Sequence, residues 1–134
     1  MRTEHSLQAL VGMSVSHIWF SDYSICYVEL GALSAGRVLR NGATGYPSGE
    51  ATVFLGYDWR IKSGHEELSR LELHVDLDKR DALASKMIGQ TIESACLGAT
   101  RSEVEIGISN GLILISASSF DEDPTWGVQF RLLQ

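Results

Sequence analysis

The chain has only two cysteines and two prolines, and no hydrophobic run approaches the length needed to cross a bilayer. Cys26 and Cys96 are too few for a disulfide framework and share no CxxC spacing or nearby ligand, so two buried thiols in a reducing compartment are expected. Glu4 and His5 stand where a signal peptide carries its basic segment, and no uninterrupted apolar core follows them. These features give the expectation of a soluble, cytoplasmic protein. Basic runs are missing too. The net charge is −6, from 11 basic and 17 acidic side chains. Such a surface repels nucleic acid and anionic lipid and steers a basic partner inward.

What is present is enough for one domain spanning residues 1–134. Forty-four per cent of the 134 residues are hydrophobic and 21% are charged, which excludes disorder, collagen and coiled coil. A chain of this size buries enough surface to fold without a metal or a disulfide.

The main pattern is internal self-similarity. Leu10-Val11-Gly12-Met13-Ser14-Val15 parallels Met87-Ile88-Gly89-Gln90-Thr91-Ile92. Each stretch follows a short helical pattern, with Ser6 and Asp81 at the N-cap or first turn and Gly12 and Gly89 at the stop. Gly56-Tyr57-Asp58-Trp59-Arg60-Ile61 parallels Gly127-Val128-Gln129-Phe130-Arg131-Leu132 in the same way. Between these matches the first half offers strands at Ile25–Leu30 and Arg37–Arg40, and the second at Glu103–Ser109 and Leu112–Ala117. The expected fold is therefore β-rich α+β. Two tandem helix–β₄ pseudo-repeats, approximately 6–62 and 81–133, form antiparallel sheets around one core, with a partly closed barrel as one arrangement.

Three local expectations follow from strand periodicity. Asn110-Gly111 reads as a two-residue type I′ hairpin turn, which sets Ile108 opposite Ile113 and Ile106 opposite Ile115 in the core. Val53 to Ile61 alternates as a single closing strand, and Leu71 to Leu77 as a linker strand exposing Glu72, His74 and Asp76. The stretches Arg40–Glu50 and Phe120–Pro124 read as loops.

The chemistry-bearing residues are sparse. Glu72, His74 and Asp76 could converge on a strand face as metal ligands, but a solvated face is the preferred reading because alternation predicts it anyway, and no metal site is expected. His5, His17, His65 and His74 fall in no HExxH motif, and no Ser or Cys lies in a nucleophile signature, so no catalytic residue and no cofactor are assigned. Arg60 and Arg131, each beside an aromatic residue, are the candidate ligand-binding pair across a groove between the halves. Asp121, Glu122 and Asp123, with Trp126 close behind, are the candidate docking rim for a basic protein.

The Gly-Tyr-Asp-Trp-Arg-Ile-Lys-Ser-Gly stretch, with Gly89-Gln90-Thr91-Ile92, Asn110-Gly111 and Trp126, resembles small bacterial domains of unknown function that carry a Trp-Arg-Ile/Leu strand. This chain has Asp58 where those domains usually have proline. Some of them are thought to be immunity proteins in contact-dependent toxin systems. The resemblance implies a non-enzymatic protein-binding module of that kind and carries over no site residue. A small-molecule binder or enzyme using the inter-half groove, and a homodimer, are the alternatives.

Overall fold

The computed structural model describes residues 3–34, 48–98, 103–116 and 126–131. In chain order the elements are α1 (Thr3–Leu10), β1 (Val15–Phe20), β2 (Cys26–Leu30), β3 (Ala51–Leu55), β4 (Trp59–Ser63) and β5 (Glu66–Ser69). They are followed by α2 (Arg70–Val75), α3 (Leu77–Met87), β6 (Ile92–Leu97), β7 (Val104–Ile108), β8 (Ile113–Ser116) and β9 (Trp126–Phe130). A 3₁₀ turn at Asp22–Ser24 links β1 to β2. The protein is β-rich α+β. No helix among the described residues is long and apolar enough to cross a membrane.

Two antiparallel sheets form, one ordered β1-β2-β3-β9 and the other β5-β4-β8-β7-β6. Among the described residues no closed barrel forms. Apolar residues alternate along every inner face: Val28 with Leu30, Val53 with Leu55, and Ile106 with Ile108 are all buried. The buried residues of both sheets and of α1 and α3 make one contiguous cluster, with Trp59 its largest fully buried side chain.

The chain order within the sheets is exchanged. After β3 the chain turns through Gly56-Tyr57-Asp58 and enters the other sheet, where β4 pairs with β8. After β8 it returns, and β9 pairs with β3. The helices follow suit, α1 lying against β6 and α3 against β1. Each half thus places its fourth strand in the sheet that the other half begins.

The junction where the two sheets meet is built from matched hydrogen bonds around the bridge pair Ser14 and Thr91. The Gly12 amide donates to the Ile92 carbonyl at 2.9 Å, and the Gly89 amide to the Val15 carbonyl at 2.7 Å. Ile92 N–H reaches Met13 O at 2.9 Å, and Val15 N–H reaches Gln90 O at 2.7 Å. Gly12 and Gly89 adopt φ of +93° and +91°, which an L side chain resists. The register shifts that follow also correspond, between Val15 and His17 in β1 and between Ile92 and Ser94 in β6.

Several local expectations are corrected. The Val53–Ile61 strand is two strands in different sheets, because the turn at 56–58 ends the alternation. Leu71–Leu77 is largely helix α2, begun by a capping box in which the Ser69 side chain accepts from Glu72 N–H and the Glu72 carboxylate accepts from Ser69 N–H. There Leu73 is buried while Leu71, Val75 and Leu77 are exposed, whereas a strand would bury all four. Asp76, rather than Asp81, caps α3, accepting from Lys79 N–H at 3.2 Å, and α1 begins at Thr3, ahead of Ser6. The β7–β8 loop has three residues, since Ile108 N–H bonds Leu112 O at 2.8 Å with Gly111 at φ +94°. That extra residue slips the register by one, so Ile106 opposes Leu114, and Leu112 and Leu114 join the core cluster in place of Ile113 and Ile115; Ile115 is buried all the same, outside that cluster. Cys96 is exposed, whereas Cys26 is buried. Arg37–Arg40 lies outside the described residues, and β3 follows β2 in its place.

A Cβ at Gly12 or Gly89 would meet no atom within 4 Å, so substitution there tests backbone strain alone. Gly12→Ala and Gly89→Ala are each expected to cost about 1–2 kcal/mol, measured by urea denaturation, and by similar amounts. A variant as stable as the parent would contradict the account of this junction.

Candidate binding site on the open sheet face

Two rows of side chains cross the outer face of the β1-β2-β3-β9 sheet. Trp19 pairs with Tyr27, Tyr27 with Phe54 and Phe54 with Gly127. His17 pairs with Glu29, Glu29 with Thr52 and Thr52 with Gln129. The Trp19 and Tyr27 rings stack with centroids 3.9 Å apart and planes 5° from parallel; Phe54 tilts against Tyr27 at 5.5 Å. All three aromatics are only half-buried, although they face away from the core.

At the centre is Glu29, 2% exposed. A buried carboxylate survives only if its oxygens are satisfied, and here four groups do this. The Trp19 indole N–H donates to Oε2 at 2.8 Å, and the Gly49 amide to Oε1 at 3.0 Å. The Thr52 hydroxyl also donates to Oε1, and Arg131 Nη1 lies 3.8 Å from the same oxygen. Arg131 Nη1 in turn donates to Thr52 Oγ1 at 2.5 Å and to Gly49 O at 3.2 Å. Above this network is a groove of about 430 Å³, walled by Trp19, Tyr27 and Phe54 on one side and by Gly127, Gln129 and Arg131 on the other. The first group belongs to the first half of the chain and the second to the exchanged strand, so β9 completes the groove. Gly127 leaves it open, because a Cβ there would meet nothing within 4 Å.

The corresponding face of the five-stranded sheet is occupied. The pairings that set Leu55 opposite Trp126 set Ser116 opposite Trp59, so the position held by Gly127 in β9 is held by Arg60 in β4. Arg60 Nε lies 2.6 Å from Glu67 Oε1, and Nη2 lies 3.5 Å from Glu103 Oε2. Glu105 and Ile115 stand where the first sheet has Tyr27 and Phe54.

Arg60 and Arg131 therefore lie in different sheets, in contact with disjoint sets of partners, and Arg60 corresponds in register to Gly127. Arg131 lines the groove; Arg60 is paired within its own sheet. Trp126 begins β9 and packs partly buried against the core. Asp121, Glu122 and Asp123 lie outside the described residues. The metal-ligand reading of Glu72, His74 and Asp76 is dispersed by the helix. Glu72 and Asp76 serve as caps, and no group of three metal-binding side chains forms among the described residues.

One Ser–His contact does form from distant residues. Ser24 Oγ lies 2.7 Å from His74 Nδ1 and accepts from Arg80 Nη1 at 2.9 Å. Ser24 has no exposed surface, so no substrate reaches its hydroxyl. The contact instead ties α2 and α3 to the β1–β2 turn, together with Trp59 Nε1–H donating to Ser24 O at 2.8 Å and Arg70 Nη1–H to Tyr23 O at 2.5 Å. These bonds hold Tyr23 and Ser24 at positive φ, 65° and 59°. Burial pushes the nearby Cys26 thiol up to about 12, against a smaller opposing effect of Arg80, so it stays protonated and unreactive.

Sequence periodicity missed Trp19, Tyr27, Glu29 and Phe54. The available signal was alternation itself: if Val53 and Leu55 face inward, Phe54 faces out, and a large aromatic residue on a solvent face needs a reason. Comparisons with known protein families, with characterised proteins and with solved structures find no match to this chain.

Glu29→Ala would leave the indole, the Gly49 amide and the Thr52 hydroxyl without their acceptor and remove the charge facing Arg131. A loss of about 3–5 kcal/mol is expected by chemical denaturation, with Glu29→Gln, which keeps one acceptor oxygen, costing less. Equal stability of Glu29→Ala and the parent would contradict the assignment of Glu29 as the organising group.

Proposed function

We propose that this protein is a non-enzymatic binding module, that its recognition surface is the outer face of the four-stranded sheet, and that its partner is a protein presenting a basic segment. An immunity protein covering the basic surface of a toxin is the form of this function that the sequence resemblance suggests. The observation that carries the reading is the contrast between two faces of matching register. One is closed by Arg60 and its two glutamates, and the other is left as an aromatic groove over a glycine. Half-buried aromatic residues beside an arginine are the composition of interface anchors. The charge of −6 attracts a basic partner to the protein as a whole.

The reading includes an ancestral duplication. The matched junction bonds, the matched register shifts and the mutual exchange of β4 and β9 support two descendants of one helix–β₄ unit. In this alignment Trp59 corresponds to Trp126 rather than to Phe130. A second functional reading, a small-molecule site in the same groove, is favoured by the volume of about 430 Å³, within the range of ligand pockets.

Gly127→Arg tests both readings, because it installs at the open position the residue that closes the other face. The variant is expected to keep its circular-dichroism spectrum and to lose at least about tenfold in affinity, near 1.4 kcal/mol, for a partner encoded beside it, measured by calorimetry after co-expression. Undiminished affinity would overturn the assignment of the surface. Stabilisation by metabolites in a thermal-shift screen, lost in Gly127→Arg, would select the small-molecule reading instead.

A further inference from the structure

Edge strands invite further pairing, and folded proteins usually protect them with charge, bulges or short length. The described sheets have four edges. β1 and β6 carry register shifts and meet each other at the Ser14–Thr91 bridge. β5 has only four residues, two of them Glu66 and Glu67. β9 is different: Trp126-Gly127-Val128-Gln129-Phe130 has no charge, no proline and a regular register along its whole length. Its counterpart β4 carries Arg60 and Lys62 and is covered by β5.

The ladder shows which groups β9 turns outward. Arg131 N–H donates to Glu50 O at 2.9 Å, in continuation of the β3–β9 register. The bonded pairs are then Thr52 with Gln129 and Phe54 with Gly127, as alternation in an antiparallel ladder requires. The backbone N–H and C=O groups of Val128 and Phe130 therefore point away from β3. Phe130 is also 43% exposed, a large apolar side chain at the end of that edge.

We propose that β9 is the edge along which two copies of this chain pair, antiparallel about a twofold axis at Val128. In that register Val128 opposes Val128, and Phe130 opposes Trp126 of the second copy, so the exposed Phe130 gains an aromatic neighbour across the strands. No like charges meet, because the strand has none. The two four-stranded sheets become one continuous sheet, with the two grooves on the same face. Five residues a side bury a small area, so the association is weak and concentration-dependent. Since each copy carries −6, salt strengthens it, whereas salt weakens capture of a basic partner.

Sedimentation velocity of the full chain from about 10 μM to about 1 mM tests this, over the range expected of an interface below about 1,200 Å². The average mass is expected to rise from one chain toward two, further at higher salt. A chain that stays monomeric throughout overturns the proposal. Phe130→Lys places a charge on the edge at an exposed site and is expected to abolish the rise; a dimer unaffected by it overturns the proposal. The register is read in a Cys96→Ser background. Val128→Cys is expected to form an interchain disulfide under mild oxidation, and Phe130→Cys, four residues from its own copy across the axis, is not. Efficient crosslinking at Phe130→Cys with none at Val128→Cys overturns the register.

Discussion

The structure depends on one constraint, the departure of each half's fourth strand from its own sheet. A three-stranded sheet with an apolar inner face and an unpaired β3 or β8 edge is a poor stopping point for a chain. The turn at 56–58 sends β4 to β8, and β9 later fills the place beside β3. Both halves are thereby committed to each other. The core cannot be assigned to one half, since Trp59 from the first is buried beneath a sheet begun by the second.

The junction at Ser14 and Thr91 fixes the relation of the two sheets, and the positive φ values of Gly12 and Gly89 let each chain leave its helix and join that junction within a few residues. The site follows from the exchange. Without β9 the groove has one wall: Trp19, Tyr27 and Phe54 would line an open edge, and Glu29 would lack the Arg131 that shares Thr52 with it. The same backbone plan produces a closed face where Arg60 replaces glycine. Arg60 against Gly127, with Glu105 and Ile115 against Tyr27 and Phe54, separates a paired surface from an open one.

Much of the plan was legible in the amino-acid order. The two stretches singled out for their similarity, Leu10–Val15 and Met87–Ile92, are hydrogen-bonded to each other, and strand alternation placed Val104, Ile106 and Ile108 in the core. Three things were not legible, each for a physical reason. The Val53–Ile61 alternation continues through a turn because Gly56, Tyr57 and Asp58 fit its period by chance of residue type. The Asn110-Gly111 pair serves a three-residue loop as readily as a two-residue one, and that single residue reverses every side chain of β8. The match of Trp59-Arg60 to Phe130-Arg131 is four residues out of the spatial register, because cross-strand pairing, rather than local resemblance, decides which positions correspond. The groove itself depends on side chains from four strands, and no single stretch of sequence contains it.

The most direct test of the exchanged architecture is reconstitution from two fragments cut at the β4–β5 turn, residues 1–64 and 65–134, followed by circular dichroism and amide hydrogen exchange. Neither fragment is expected to show cooperative unfolding alone, since each lacks the strand that completes its sheet. Mixed, they are expected to recover the spectrum and the protection of the whole chain. A single fragment that folds cooperatively with native-like protection would contradict the account.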